Sequence, residues 1–84
     1  MSESEVTRFT LFSRQGCHLC EDMRWQLQQL QQERAFDFDE VDIASDPSLE
    51  KLYGTLIPVL TQDNRVVCNY YLDPVAVAEI LDRG

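Results

Sequence analysis

The sequence predicts an α/β fold with the element order β-α-β-α-β-β-α, a four-stranded mixed sheet carrying helices on both faces. Three observations carry that prediction. A β-branched apolar run at Val6–Phe12 precedes a stretch in which Leu19, Met23, Leu27 and Leu30 recur at helical spacing. Two Asp-Pro pairs, Asp46-Pro47 and Asp73-Pro74, each open a short helical segment. Between them, two apolar runs meet at a short Asp63-Asn64 turn, the pattern of a β-hairpin. With 84 residues, and neither internal repeats nor a linker, the whole chain 1–84 is expected to form a single domain.

The elements follow in order. VTRFTLF, free of Gly and Pro, suits a central strand buried on both faces. Ser13-Arg14-Gln15-Gly16 breaks it, and an amphipathic helix runs from about His18 to Glu33, with its glutamines on the solvated face. FDFDEVDI is the second strand; its alternation slips before Val41 and Ile43, which predicts a bulge or an early strand end. Asp46 caps a short helix carrying Leu49, Leu52 and Tyr53, ended by Gly54. Ile57-Pro58 opens the third strand, Val66–Tyr70 forms the fourth, and Val77, Ile80 and Leu81 give the last helix its apolar face. The first two strands flank a helix and so run parallel through a right-handed crossover.

Charge and cysteine content narrow the function. Fifteen acidic against seven basic residues give a net charge of −8, which repels phosphate backbones and anionic lipid. Neither nucleic acid nor membrane is therefore expected as a partner. No apolar run is long enough to span a bilayer, and the acidic start Met1-Ser-Glu-Ser-Glu-Val6 does not read as a secretory leader. Three cysteines make a poor disulfide framework, but Cys17-His-Leu-Cys20 places two of them together, which suits a working thiol pair in the reducing cytoplasm.

Cys17 and Cys20 fall at the junction between the first strand and first helix. The unpaired N–H groups and positive dipole end of a helix stabilise a thiolate there. Arg14, three residues earlier, adds a cation within reach. Cys17 is then the nucleophile, and Cys20, one turn on, the resolving thiol. A Cys-x-x-Cys also occurs as half of a zinc site, for which only Cys68 and His18 remain as soft donors, or as a cluster ligand bridged in a homodimer. His18 either tunes the neighbouring sulfur or is an exposed helix residue. Pro58 is either an ordinary strand start or part of a cis Ile57–Pro58 bond that leaves the Ile57 backbone free for an extended substrate. Cys68 reads as a buried small hydrophobe, with a third redox thiol as the alternative. Trp25, Tyr70 and Tyr71 read as packing residues, and Asp37 and Asp39 as a solvated strand face.

Four segments together resemble the small glutaredoxin-like proteins of the thioredoxin superfamily: Leu11-Phe-Ser-Arg-Gln-Gly-Cys-His-Leu-Cys20, Asp42-Ile-x-x-Asp-Pro47, Tyr53-Gly-x-x-Ile-Pro58-Val-Leu60 and Asp73-Pro74. The resemblance runs from about Val6 to Leu81. It implies a thioredoxin-like, glutaredoxin-type fold, Cys17 as attacking and Cys20 as resolving thiol, and a cis Pro58 facing the pair. It also implies that Ile57 offers backbone hydrogen bonds to substrate, and that Arg14 helps hold the glycyl carboxylate of glutathione. Two positions depart from the family pattern. His-Leu stands between the cysteines in place of Pro-Tyr, and Cys68-Asn-Tyr-Tyr71 stands where glutaredoxins carry a Gly-Gly pair.

The expectation is a cytoplasmic, monomeric dithiol–disulfide oxidoreductase serving cell redox homeostasis. Its substrate is a disulfide-containing protein or small molecule, and it needs no organic cofactor or metal. An external thiol reductant or reductase, glutathione or another donor, restores the dithiol. The rival expectation is a non-catalytic thioredoxin-fold redox sensor or adaptor that binds one protein partner.

Overall fold

The computed structural model describes residues 6–83, so most of the acidic start that does not read as a leader lies outside the described residues. The elements are β1 (Arg8–Ser13), α1 (His18–Gln31), β2 (Asp37–Asp42), α2 (Pro47–Tyr53), β3 (Val59–Gln62), β4 (Arg65–Asn69) and α3 (Pro74–Arg83), with a 3-10 turn at Ile43–Ser45. The sheet order is β2-β1-β3-β4. β1 runs parallel to β2 and antiparallel to β3, and β3 pairs antiparallel with β4, giving the expected mixed sheet. Among the described residues, no helix is long and apolar enough to cross a membrane.

Pleating divides β1 between two unequal faces. Phe9 and Leu11 point to one side, with no exposed surface, and pack with Leu60 of β3, Met23 and Leu27 of α1, and Val77 of α3. Phe36 closes this core edge-on against Phe9, at a 5.4 Å centroid distance. Burying each such side chain contributes about 1.5–3 kcal/mol, so α1 and α3 are fixed to this face mainly by apolar area. On the opposite face Phe12 stacks on Tyr53 of α2, with centroids 4.7 Å apart. There Thr10 and Phe12 are only half-buried and Arg8 is exposed, because α2 is too short to cover the whole face. The expected burial of the first strand on both faces is therefore corrected: one face is dry and the other only partly covered. The strand also begins at Arg8, two residues after Val6.

β2 resolves its irregular pattern by ending early, at Asp42, while its register with β1 stays regular from Asp37 to Asp42. Regular pleating puts Glu40 on the α1 side of the sheet. Arg24 of α1 binds its carboxylate through two nitrogens at 2.6 and 2.8 Å, and the Ser13 hydroxyl donates at 2.7 Å. These bonds hold Glu40 below the ordinary carboxylate pKa of 4.5, the Arg24 bond contributing most and partial burial opposing it. Asp42 turns the chain by accepting the Ala44 N–H, leaving Ile43 buried.

A bulge does occur, but elsewhere: the register shifts between Leu60 and Thr61, leaving Val67 of β4 as the extra residue. The helix caps follow the Asp-Pro signals, with Asp46 accepting from the Ser48 N–H at 2.8 Å and Asp73 from the Ala76 N–H at 3.1 Å. Gly54 ends α2 in a right-handed conformation, φ −54°. Its need for glycine is one of space, since a Cβ there would lie 2.5 Å from the Glu50 carbonyl oxygen.

Candidate functional site

Three connections leave the sheet at the same end. Phe12 pairs with Val59, which sets Ser13 beside Pro58, and the Pro58 carbonyl accepts the Tyr70 N–H at 2.9 Å. The loop after β1, the segment before β3 and the segment after β4 are therefore neighbours by register.

The first of these carries the cysteines. Gly16 has φ +83° with open space around it, so its requirement is for the left-handed conformation alone. The chain then enters α1 through Cys17, which is extended, with φ −94° and ψ 112°, and acts as N-cap. Its N–H bonds to the Arg14 carbonyl at 3.3 Å, its carbonyl accepts the Glu21 N–H at 3.1 Å, and its Sγ accepts the Cys20 N–H at 3.1 Å. The sulfur thus occupies the place where a capping oxygen normally satisfies a first-turn donor. Cys17 is half-buried, whereas Cys20 has no exposed surface. The two are joined as a disulfide with a Cα–Cα distance of 5.2 Å.

The second connection contains a cis Ile57–Pro58 bond, and Pro58 is fully buried. The expectation that both Ile57 backbone groups are free needs correction. Its N–H donates to the Tyr53 carbonyl at 3.1 Å, because α2 continues as a turn into this segment. The Ile57 carbonyl has no partner among the described residues.

Arg14 is the other residue placed differently. Its guanidinium forms an ion pair with Glu50 of α2, so its charge is directed to that helix rather than to the sulfur. The partners are separated by 36 residues, and nothing local in the sequence announces their meeting. His18 is exposed at the first helical position and makes no hydrogen bond among the described residues. Cys68 lies half-buried on β4, and burial pushes its thiol pKa up, with the Asp73 backbone partly opposing this. Among the described residues no three His, Cys, Asp or Glu side chains converge as a metal site.

The third connection stands out in the sequence for Cys68-Asn-Tyr-Tyr71 in place of a Gly-Gly pair, but not for its backbone conformation. Tyr70 has φ +65°, a left-handed conformation that costs a non-glycine residue roughly 1–2 kcal/mol. Its hydroxyl donates to the Thr55 carbonyl at 2.6 Å, and the Tyr71 N–H bonds back to the Asn69 carbonyl at 2.7 Å. Tyr70 therefore ties the segment after β4 to the one before Pro58. A tyrosine gives no sequence signal for positive φ, which is why it was missed. Trp25 and Tyr71, expected to pack, are instead 60% and 71% exposed.

A parallel β-α-β unit, a hairpin on the central strand, and a Cys-x-x-Cys at the first helix beside a cis proline define a protein of thioredoxin fold. Within that class the chain belongs to the family described as Glutaredoxin-like domain, which it matches over residues 8–82. It is similar to protein Ne2328 from Nitrosomonas europaea, solved by solution NMR, with 32% identity, 92% of this chain and 93% of that one covered, and a TM-score of 0.83. A protein from X. campestris shares 31% identity over 90% of this chain and 97% of its own, with a TM-score of 0.65. Thioredoxin 1 from Thermosipho africanus, at 14% identity over 89% of this chain and 86% of its own, shares the fold, with a TM-score of 0.53. No curated protein matches the chain.

Proposed function

We propose that the protein is a dithiol–disulfide oxidoreductase whose substrate is a disulfide, with Cys17 as nucleophile and Cys20 as resolving thiol. The observation that carries this reading is the arrangement of the pair: a half-exposed sulfur capping a helix N-terminus, joined to a fully buried one a single turn later. In the reduced protein, the helix dipole and the Cys20 N–H favour Cys17 as thiolate. The Cys17 thiolate attacks one sulfur of the substrate disulfide, forming a mixed disulfide and expelling the other sulfur as a thiolate that takes up a proton. Deprotonated Cys20 then attacks Cys17 Sγ, forming the Cys17–Cys20 disulfide and releasing the second substrate thiol. Two electrons pass to the substrate, and an external thiol returns them.

The half-buried Ile57, with its carbonyl unpartnered among the described residues, offers one backbone acceptor to an extended substrate, and Pro58 shapes the wall beside it. Arg14 binds a carboxylate only by leaving Glu50, and His18 meets substrate at the exposed rim. Both features favour a polypeptide disulfide over glutathione as the main substrate. The reading further places the protein in the cytoplasm, as a monomer that works without metal, organic cofactor, nucleic acid or membrane.

An equilibrium redox titration read by intact mass after alkylation tests it. The expected result is a reversible two-electron transition at about −200 mV or below. Loss of disulfide exchange in Cys17→Ser, and a trapped mixed disulfide in Cys20→Ser, are expected alongside. Full exchange activity in Cys17→Ser would overturn the mechanism.

A further inference from the structure

A groove of ≈ 290 Å³ opens between the first half of α1, the helix that Cys17 caps, and the segment after β4. Leu19, which stands inside the Cys-x-x-Cys motif, lines one end. Trp25 and Asp22, one helical turn apart, form one wall, and Tyr70 and Tyr71 the other. Trp25 and Tyr71 are mostly exposed. Tyr70 is fixed in this position by bonds to the Thr55 and Pro58 carbonyls, despite its unfavourable backbone. Strain kept by surrounding contacts at the border of a reactive site is a signature of function.

We infer that this groove is a specificity subsite for a cationic side chain, an arginine or lysine next to the disulfide cysteine of a polypeptide substrate. The inference rests on the exchange reading above and names its substrate class.

Charge complementarity selects this occupant. Asp22 has no hydrogen-bond or ion-pair partner among the described residues, although most arginines in the chain have one: Arg8 pairs with Asp37 and Asp39, Arg14 with Glu50, Arg24 with Glu40 and Arg34 with Asp82. Of the remaining cations, Arg65 and Arg83 lie at the far end of the sheet with Gln62, and Lys51 lies on α2, across the sheet from α1. Among the described residues, therefore, no arginine or lysine serves the groove. Open aromatic faces beside an unpaired carboxylate attract a guanidinium or ammonium by the ring quadrupole and by charge together. An anionic or purely apolar side chain gains nothing from Asp22, and the net charge of −8 reinforces the preference over longer range.

The test uses the reduced full-length protein and a short peptide holding an intramolecular disulfide, with either arginine or its neutral isostere citrulline beside one cysteine. The expected second-order exchange rate is about tenfold higher for the arginine peptide. That ratio should fall toward unity in Asp22→Asn and in Trp25→Leu, and should persist in Glu33→Gln, which removes an equal charge away from the groove. A parallel NMR titration uses the same peptides with serine for cysteine, reading the Trp25 indole and Tyr71 amide signals. Equal exchange rates for the two peptides would overturn the inference and leave the exchange reading standing. A ratio lowered equally by Glu33→Gln would overturn it too, assigning the effect to net charge. Shifts with the arginine peptide alone, without exchange of either disulfide, would support the subsite and overturn the exchange reading. Neither shifts nor exchange would overturn both.

Discussion

The two ends of the sheet meet the same backbone demand with different residues. At the hairpin end, Asp63 and Asn64 take φ +53° and +66° between the paired Gln62 and Arg65. A two-residue hairpin loop requires positive φ, and short Asp and Asn side chains tolerate it well. At the cysteine end, Tyr70 takes φ +65° with a bulky side chain that gains nothing locally from that geometry. It is held by its hydroxyl bond to Thr55 and its N–H bond to Pro58. The hairpin end is locally consistent, whereas the cysteine end is consistent only through contacts between distant segments. That difference teaches where to look for function in a small fold of this kind: at the end where the local rules are overruled.

Four substitutions test the contrast. Asn64→Val places a β-branched side chain at positive φ and should destabilise the fold by about 1–2 kcal/mol in a denaturant titration, leaving disulfide exchange unchanged. Tyr70→Phe removes the bond to Thr55 and should cost about 0.5–1.5 kcal/mol. Unlike the hairpin variant, it should also slow exchange, because the segment bearing Pro58 loses its tie. An unchanged exchange rate in Tyr70→Phe would dissolve the functional side of the comparison.

Glu40→Gln is smaller and depends on pH. The carboxylate has a folded pKa below its ordinary value of 4.5, so the ionised form stabilises the fold. That contribution is complete above pH 4.5 and is lost as pH falls through the lower folded value. The stability gap between wild type and Glu40→Gln, measured by thermal unfolding, should therefore be widest near neutrality and close in acid. Glu50→Gln should change stability least, by about 0–1 kcal/mol, since its pair with Arg14 is well exposed. It should nonetheless speed reaction with glutathione, whose carboxylates gain access to Arg14; stopped-flow rates would show this.

Much of the fold is legible in the sequence because local signals and core pattern agree. The helical spacing of Met23 and Leu27, the Asp-Pro caps and the Asp63-Asn64 turn each mark an element where the structure has it. The Cys-x-x-Cys was equally plain, and its position at the start of α1 followed from where the strand pattern stops. What escaped was contact between segments far apart in sequence. Glu50 meeting Arg14, Tyr70 reaching Thr55 and the Ile57 N–H turning back to Tyr53 all depend on how connections meet at one end of the sheet. No periodicity encodes such meetings. The exposure of Trp25 and Tyr71 was missed for a related reason: aromatic residues are read as core unless the neighbouring surface is known.

The extra residue Val67 has a consequence for the chain in a crowded solution. β4 is an outer strand of the sheet, and an outer strand exposes a row of unpaired backbone donors and acceptors on which another chain can grow. The bulge breaks the even spacing of that row and twists it, so that no straight strand can match it along its length. On the opposite border, β2 carries Asp37, Asp39, Glu40 and Asp42, which repel a second copy of themselves. The protein thus carries a guard against fibrous self-association at each border, one made of shape and the other of charge.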